Sequence, residues 1–186
     1  MGSQKFQINL IENSLAIAEE IYHQVERGIY CKGELADIIN KIRWNVEETA
    51  AILGTEDLKS VIENSIIKCV TEYCEYFEKI EILTEFLLKA YDIFSAFGMT
   101  IECEHVSMIY DHIRQGIRSS EELNYILNEV DWITCKLGIV GTQHNERDSL
   151  SESYYSSRSG RVELEMVLSR YIDVLEGYLD CVISRP

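Results

Sequence analysis

Between Thr55 and Gly98 the chain has neither glycine nor proline, and its apolar residues recur at steps of three and four. That pattern admits one regular structure, a single α-helix of roughly forty residues spanning roughly 60 Å at 1.5 Å per residue. The stripe reads Leu58, Ile62, Cys69, Tyr73, Tyr76, Ile80, Leu83, Leu87, Ala90, Phe94 and Phe97. Uninterrupted patterns well beyond 25 residues belong to coiled coils or extended bundles. Ser65 breaks the stripe, so a kink between Ser65 and Thr71 is compatible with the sequence. The other faces carry Glu72, Glu75, Glu78, Lys79, Glu81, Glu85, Lys89 and Asp92. Glu75–Lys79 and Glu85–Lys89 have the favourable i,i+4 order, worth a few tenths of a kcal/mol each. The apolar stripe, not these pairs, holds such a helix in place.

The flanking segments read as helices too. One runs from about Gln4 to Arg27, with Ile8, Ile11, Leu15, Ala18, Tyr22, Val25 and Ile29 on one face and Gly28 as a stop. A second follows Gly33, turning Leu35, Ile38, Ile42, Val46, Ala50 and Leu53 inward before Gly54; Thr55 then caps the long helix. Thr100 is suited to cap a fourth helix carrying Val106, Ile109 and Ile113. Ser119 followed by Glu122 is a capping box for a fifth, with Leu123, Ile126, Val130, Ile133 and Leu137 inward. Periodicity then fades between Ile139 and Gly160, where six serines crowd around Tyr154 and Tyr155, and a mobile Ser-rich loop is expected over about 139–160. A last helix from about Arg161 to Val182 buries Leu164, Leu168, Ile172, Leu175 and Leu179. Together these predict an all-α fold: one domain over 1–186, a bundle of about six helices around the long helix at about 55–97.

Charge narrows the function classes. Acidic residues number 32 against 17 basic, a formal net charge of −15 spread along the chain. A surface of that sign disfavours phosphate contacts with nucleic acid and anionic membranes, and it steers basic proteins inward. No run of about 18 apolar residues suggests a membrane span. The six cysteines form no C-x-x-C pair and mostly sit beside apolar residues, which points to reduced thiols and a cytoplasmic setting.

Chemistry-bearing motifs are sparse. Glu20/His23 and Glu102/His105 have the Glu-x-x-His spacing of di-metal helical bundles. The first pair falls outside its helix stripe, and Glu102 suits the first turn of a helix on electrostatic grounds alone. Glu72, Glu75, Glu78 and Glu81 repeat at spacing three, which spreads carboxylates around a helix instead of converging them. The Glu-x-x-Asp partner that helical nucleotide pyrophosphohydrolases use for magnesium is missing at suitable spacing. Gly138-Ile139-Val140-Gly141 lacks the Lys-Ser/Thr of a phosphate loop.

The expectation drawn is a non-enzymatic acidic interaction module, of the inhibitor, antitoxin, immunity or anti-defence type, needing no cofactor and binding a basic protein. Glu72, Glu75, Glu78, Glu85, Tyr154 and Tyr155 are its candidate contact residues, tyrosine being enriched at binding hot spots. The long stripe calls for a covering surface, hence a homodimer or a place in a larger complex. The rival is a small helical enzyme or ligand sensor with a metal or nucleotide site built from Glu72, Glu75, Glu102 and His105.

Overall fold

A computed structural model describes residues 2–139 and 143–184. Every regular element among the described residues is an α-helix: α1 Gly2–Arg27, α2 Lys32–Leu53, α3 Glu56–Ala96, α4 Thr100–Gln115, α5 Ser120–Lys136 and α6 Gln143–Ile183. The all-α expectation holds. None of these helices is long and apolar enough to cross a membrane.

Contacts cluster into two compact units, Met1–Thr71 with Arg158–Pro186, and Glu72–Ser157. The helices α3 and α6 each contribute residues to both. α3 runs unbroken through 41 residues, and Ser65, where a kink was compatible, is buried within it. Its end is set by a Schellman motif. Gly98, at φ +68, donates its N–H to Ser95, and the Met99 N–H reaches Phe94 at 2.9 Å. α4 starts with Thr100 as its first residue; the cap position belongs to Met99, which makes no side-chain cap bond. Thr100 is therefore not the cap expected of it.

The first unit packs α1 on α2. Ile11, Ala18, Ile21 and Val25 face inward from α1, and Ile38, Ile42, Val46 and Ala50 from α2. Leu164, Val167, Leu168, Tyr171 and Leu175 are among the buried residues of α6 here. The inward arc of α1 is displaced from the one expected: Ser14 and Ile21 are buried, while Leu15 and Tyr22 are half-buried. A polar network lies beside the Ser14 backbone. Asn45 Nδ2 donates to the Ser14 carbonyl at 2.9 Å, and the Thr49 and Tyr171 hydroxyls meet at 2.5 Å. Burial of Tyr171 pushes its phenol up to about 12.

In the second unit α4 packs on α5. The core is made by Leu87, Ala90 and Phe94 of α3, Val106, Ile109 and Ile113 of α4, and Leu123, Ile126 and Ile133 of α5. Tyr73, Tyr76, Phe77 and Tyr154 form an aromatic cluster with ring centroids 5.5 to 6.5 Å apart. The Ser-rich loop expected over 139–160 is helix from Gln143 onward. Residues 140–142 of it, with Val140 and Gly141, lie outside the described residues. Serine lowers helix propensity by offering the backbone competing hydrogen bonds. Here Ser153 donates to the Leu150 carbonyl at 3.0 Å and Ser157 to the Tyr154 carbonyl at 2.8 Å. With their hydroxyls satisfied within the helix, both serines are buried as small core residues.

Candidate functional site

One concavity stands out in the second unit. A groove of about 520 Å³ is walled by Ile82, Leu83 and Phe86 of α3, Leu127, Val130 and Thr134 of α5, Ile139, and Leu150 of α6. Each wall follows from local sequence. Ile82 and Phe86 are i,i+4 neighbours on a face of α3 turned away from Leu87 and Phe94. Ile93 and Phe97 continue that ridge by further helical steps, and Ile82, Ile93 and Phe97 are 59%, 45% and 78% exposed. On α5, Leu127 is buried and Val130 half-buried. Thr134 stays on the wall because its hydroxyl donates to the Val130 carbonyl at 2.6 Å.

The end of α5 positions Ile139. Gly138, at φ +70, donates to Cys135, and the Ile139 N–H bonds the Thr134 carbonyl at 3.2 Å. This second Schellman motif turns Ile139 back onto the last turn of α5, leaving it 43% exposed at the groove. Polar residues edge the cavity. Arg147 forms an ion pair with Asp131 and reaches Asn128 Oδ1 at 3.1 Å, while Lys79, Glu146 and Ser149 complete the lining. Glu78 and Glu85 are exposed and lie four and three residues from Ile82, hence beside it on the helix surface. Among the described residues the site is apolar at its centre, with Lys79, Asp131, Glu146 and Arg147 at its edge.

The residues expected to bind a partner are only partly brought together. Glu75, Glu78 and Glu85 are exposed along α3, and Glu72 is half-buried. Tyr155 is 51% exposed, but Tyr154 is 2% exposed and packs edge-on to Tyr76 at 5.9 Å. Tyr154 is thus a core residue and not a surface anchor. Its place follows from the helix that replaces the expected loop, in which Leu150, Tyr154 and Ser157 fall on one side.

The residues of the metal reading do not converge. Glu102 pairs with Lys136 at 3.6 Å, and His105 pairs with Glu129. The His105 ring lies 4.6 Å from the Trp132 ring, over which Lys136 sits at 5.3 Å. These contacts join α4 to α5, as does His112–Glu122 at 3.3 Å one heptad further along. Among the described residues no group of three or more His, Cys, Asp or Glu side chains is placed to hold a metal ion. Glu20 and His23 are exposed, as their position outside the α1 stripe implied.

Sequence reasoning passed over Ile82 and Phe86, while it placed Leu83 and Val130 on inward stripes. Phe97, expected on the buried stripe of α3, is instead exposed and falls with Ile82, Phe86 and Ile93 on a second apolar face. A second concavity of about 260 Å³ lies in the first unit, at the turn from α1 to α2, lined mainly by polar side chains such as Gln24, Arg27, Glu34 and Asp37.

Comparison with protein-family models, with curated proteins and with solved structures finds no match to this chain.

Proposed function

We propose that the chain is a non-enzymatic acidic interaction module that binds a basic protein partner and acts on it as an inhibitor does, by occupying its surface. The observation that carries this reading is the groove of the second unit, apolar inside and bordered on α3 by exposed carboxylates. An open apolar concavity of this kind marks binding more readily than chemistry. Its polar groups support that division: Asp131 and Arg147 neutralise each other, and Thr134 is satisfied by its own helix. The net charge of −15 supplies the long-range attraction for a basic protein.

The test is recovery of the partner from the native cell after cross-linking, followed by binding of the purified pair at rising salt. A basic partner should emerge, with affinity that falls as salt screens the attraction. Salt-insensitive binding would remove the electrostatic half of the reading. Large thermal stabilisation by Mg²⁺, Mn²⁺ or a nucleotide would overturn it in favour of an enzyme or sensor.

A further inference from the structure

We infer that the groove between α3, α5 and α6 of the second unit receives a short amphipathic helix of the partner, with apolar side chains at i, i+4 and i+7 and Lys or Arg beside them. The inference rests on the protein-binding reading above and specifies its site and its ligand.

Shape comes first. The walls are helices, and the described residues offer no strand edge for an extended peptide to extend. A segment that must satisfy its own backbone bonds is therefore the fitting occupant, and helix-in-groove docking meets that need. Apolar surface does not stop at the cavity: on the same face of α3, past the exposed Lys89, lie Ile93 and Phe97. An elongated occupant covers such a face, whereas a compact small molecule would leave its far half in water.

Charge then selects the partner. Glu75, Glu78 and Glu85 lie seven, four and three residues from Ile82, and Glu146 lines the cavity. Lys79 and Lys89 are interspersed, each i+4 to a glutamate, and Arg147 is tied to Asp131. Acids therefore predominate at the border and suit Lys or Arg flanking an apolar anchor. A second copy of this chain is disfavoured by long-range charge. Both molecules of such a pair would carry a net charge of −15, whereas a basic partner is drawn in.

The experiment uses the full chain and three fluorescent peptides of about 16 residues, between four and five helical turns. One carries Leu at the anchor spacing with Lys and Arg elsewhere, one replaces the basic residues by Glu, and one replaces Leu by Ala. Anisotropy is read for the native chain, Ile82→Gln, the double variant Glu78→Lys with Glu85→Lys, and Trp44→Gln. Circular dichroism and sedimentation of each variant establish folding and oligomeric state. The basic amphipathic peptide should bind, and Ile82→Gln should weaken it at least tenfold. The double variant should weaken it severalfold, by less as salt rises. Trp44→Gln, an exposed change in the first unit, should leave it unaltered.

Equal binding of the acidic peptide, no binding at all, or indifference to Ile82→Gln overturns the inference. Dimerisation abolished by Ile82→Gln would overturn it in favour of a second copy. Nile red held by the native chain but not by Ile82→Gln, with every peptide failing, would overturn it in favour of a small apolar ligand. A native partner that binds the native chain and Ile82→Gln alike overturns the groove while leaving protein binding standing.

Discussion

In the first unit Asn45, Thr49 and Tyr171 bond across helices inside the core, whereas in the second the buried serine and threonine hydroxyls bond only their own helices and an apolar groove lies open beside the core. Ser14, Asn45, Thr49 and Tyr171 bring hydrogen-bonding groups into the first core, and each bond runs between elements or back into its own helix. The second core is closed around Phe94, Leu87 and Ile126, and its buried Thr134, Ser153 and Ser157 each bond a carbonyl of their own helix. Beside it Ile82, Ile93 and Ile139 remain substantially exposed. Satisfied buried networks help a helical core settle on one arrangement, at little net gain in stability. Exposed apolar ridges contribute nothing to folding and are retained at some risk of aggregation. The contrast teaches that the openness of the second unit is local to the groove and does not extend to its core.

The largest expected effect tests that locality. Phe94 is 1% exposed and Leu164, in the first unit, is fully buried. Phe94→Ala should cost about 3–5 kcal/mol and Leu164→Ala about 2–5 kcal/mol, through lost burial plus the cavity left behind. Urea denaturation followed by circular dichroism measures both. A cost below about 1 kcal/mol at Phe94 would mean that the second unit is loose throughout, and the comparison would fail.

Next in size is the alkaline response of the first unit. Burial raises the Tyr171 phenol from 10.0 to about 12, partly opposed by its bond with Thr49. The folded state thus holds this proton more tightly than the unfolded chain does. The contribution is fully present below pH 10 and is lost as pH rises through 12, in total about 2–3 kcal/mol. Tyr171→Phe should be less stable near neutral pH by about 1 kcal/mol, for want of the Thr49 bond. Between pH 10 and 12 it should lose stability less steeply than the native chain. Parallel urea midpoints across that range would show that the phenol is not enclosed as described.

Much of this arrangement was legible beforehand, for identifiable reasons. The long helix was readable to within a residue or two because its apolar period is unbroken and Gly98 supplies the left-handed stop. The N-terminal part of α6 was not, because Ser153 and Ser157 occupy core positions where a periodicity argument looks for large apolar side chains. Each hydroxyl bonds its own helix, a compensation invisible to composition. Tyr154 was misjudged with them, since its burial depends on that helix. The candidate site was half legible: Glu78 and Glu85 were singled out, but Ile82 and Phe86 were hidden beside a stronger stripe. The buried triad of Asn45, Thr49 and Tyr171 joins α2 to a residue more than a hundred positions away, and no local pattern encodes that.

Helix starts offer a finer comparison, because both units use the same device with different atoms. In the second unit Ser119 accepts the Glu122 N–H at 3.1 Å, and Glu122 Oε2 accepts the Arg118 N–H at 2.8 Å. In the first, the thiol of Cys31 accepts the Glu34 N–H at 3.4 Å, and Glu34 Oε2 accepts the Tyr30 N–H at 2.8 Å. Sulfur is the weaker acceptor. Ser119→Ala should therefore cost about 1 kcal/mol, as loss of an oxygen cap does. Cys31→Ser should raise stability by a few tenths of a kcal/mol, roughly the scale of cap-to-cap differences. Equal losses for Ser119→Ala and Cys31→Ala would indicate that the two caps are equivalent after all.

The smallest effect on stability is also the sharpest separation of the two units' roles. Ile82 has most of its surface in water, so Ile82→Gln removes little burial and should shift the urea-derived stability by no more than about 0.5 kcal/mol. Glutamine is a comparable helix former, and its neighbours Glu78, Glu85 and Lys89 can stay where they are. A groove kept open for a partner then predicts an unusual pairing of results: stability almost unchanged, binding of a basic apolar segment much reduced. Ordinary core residues behave in the opposite way, because damage to folding precedes any damage to binding. Should Ile82→Gln cost as much as Phe94→Ala, Ile82 would be part of the core. The exposed ridge along α3 would then be a structural wall and the reason for assigning it a ligand would disappear.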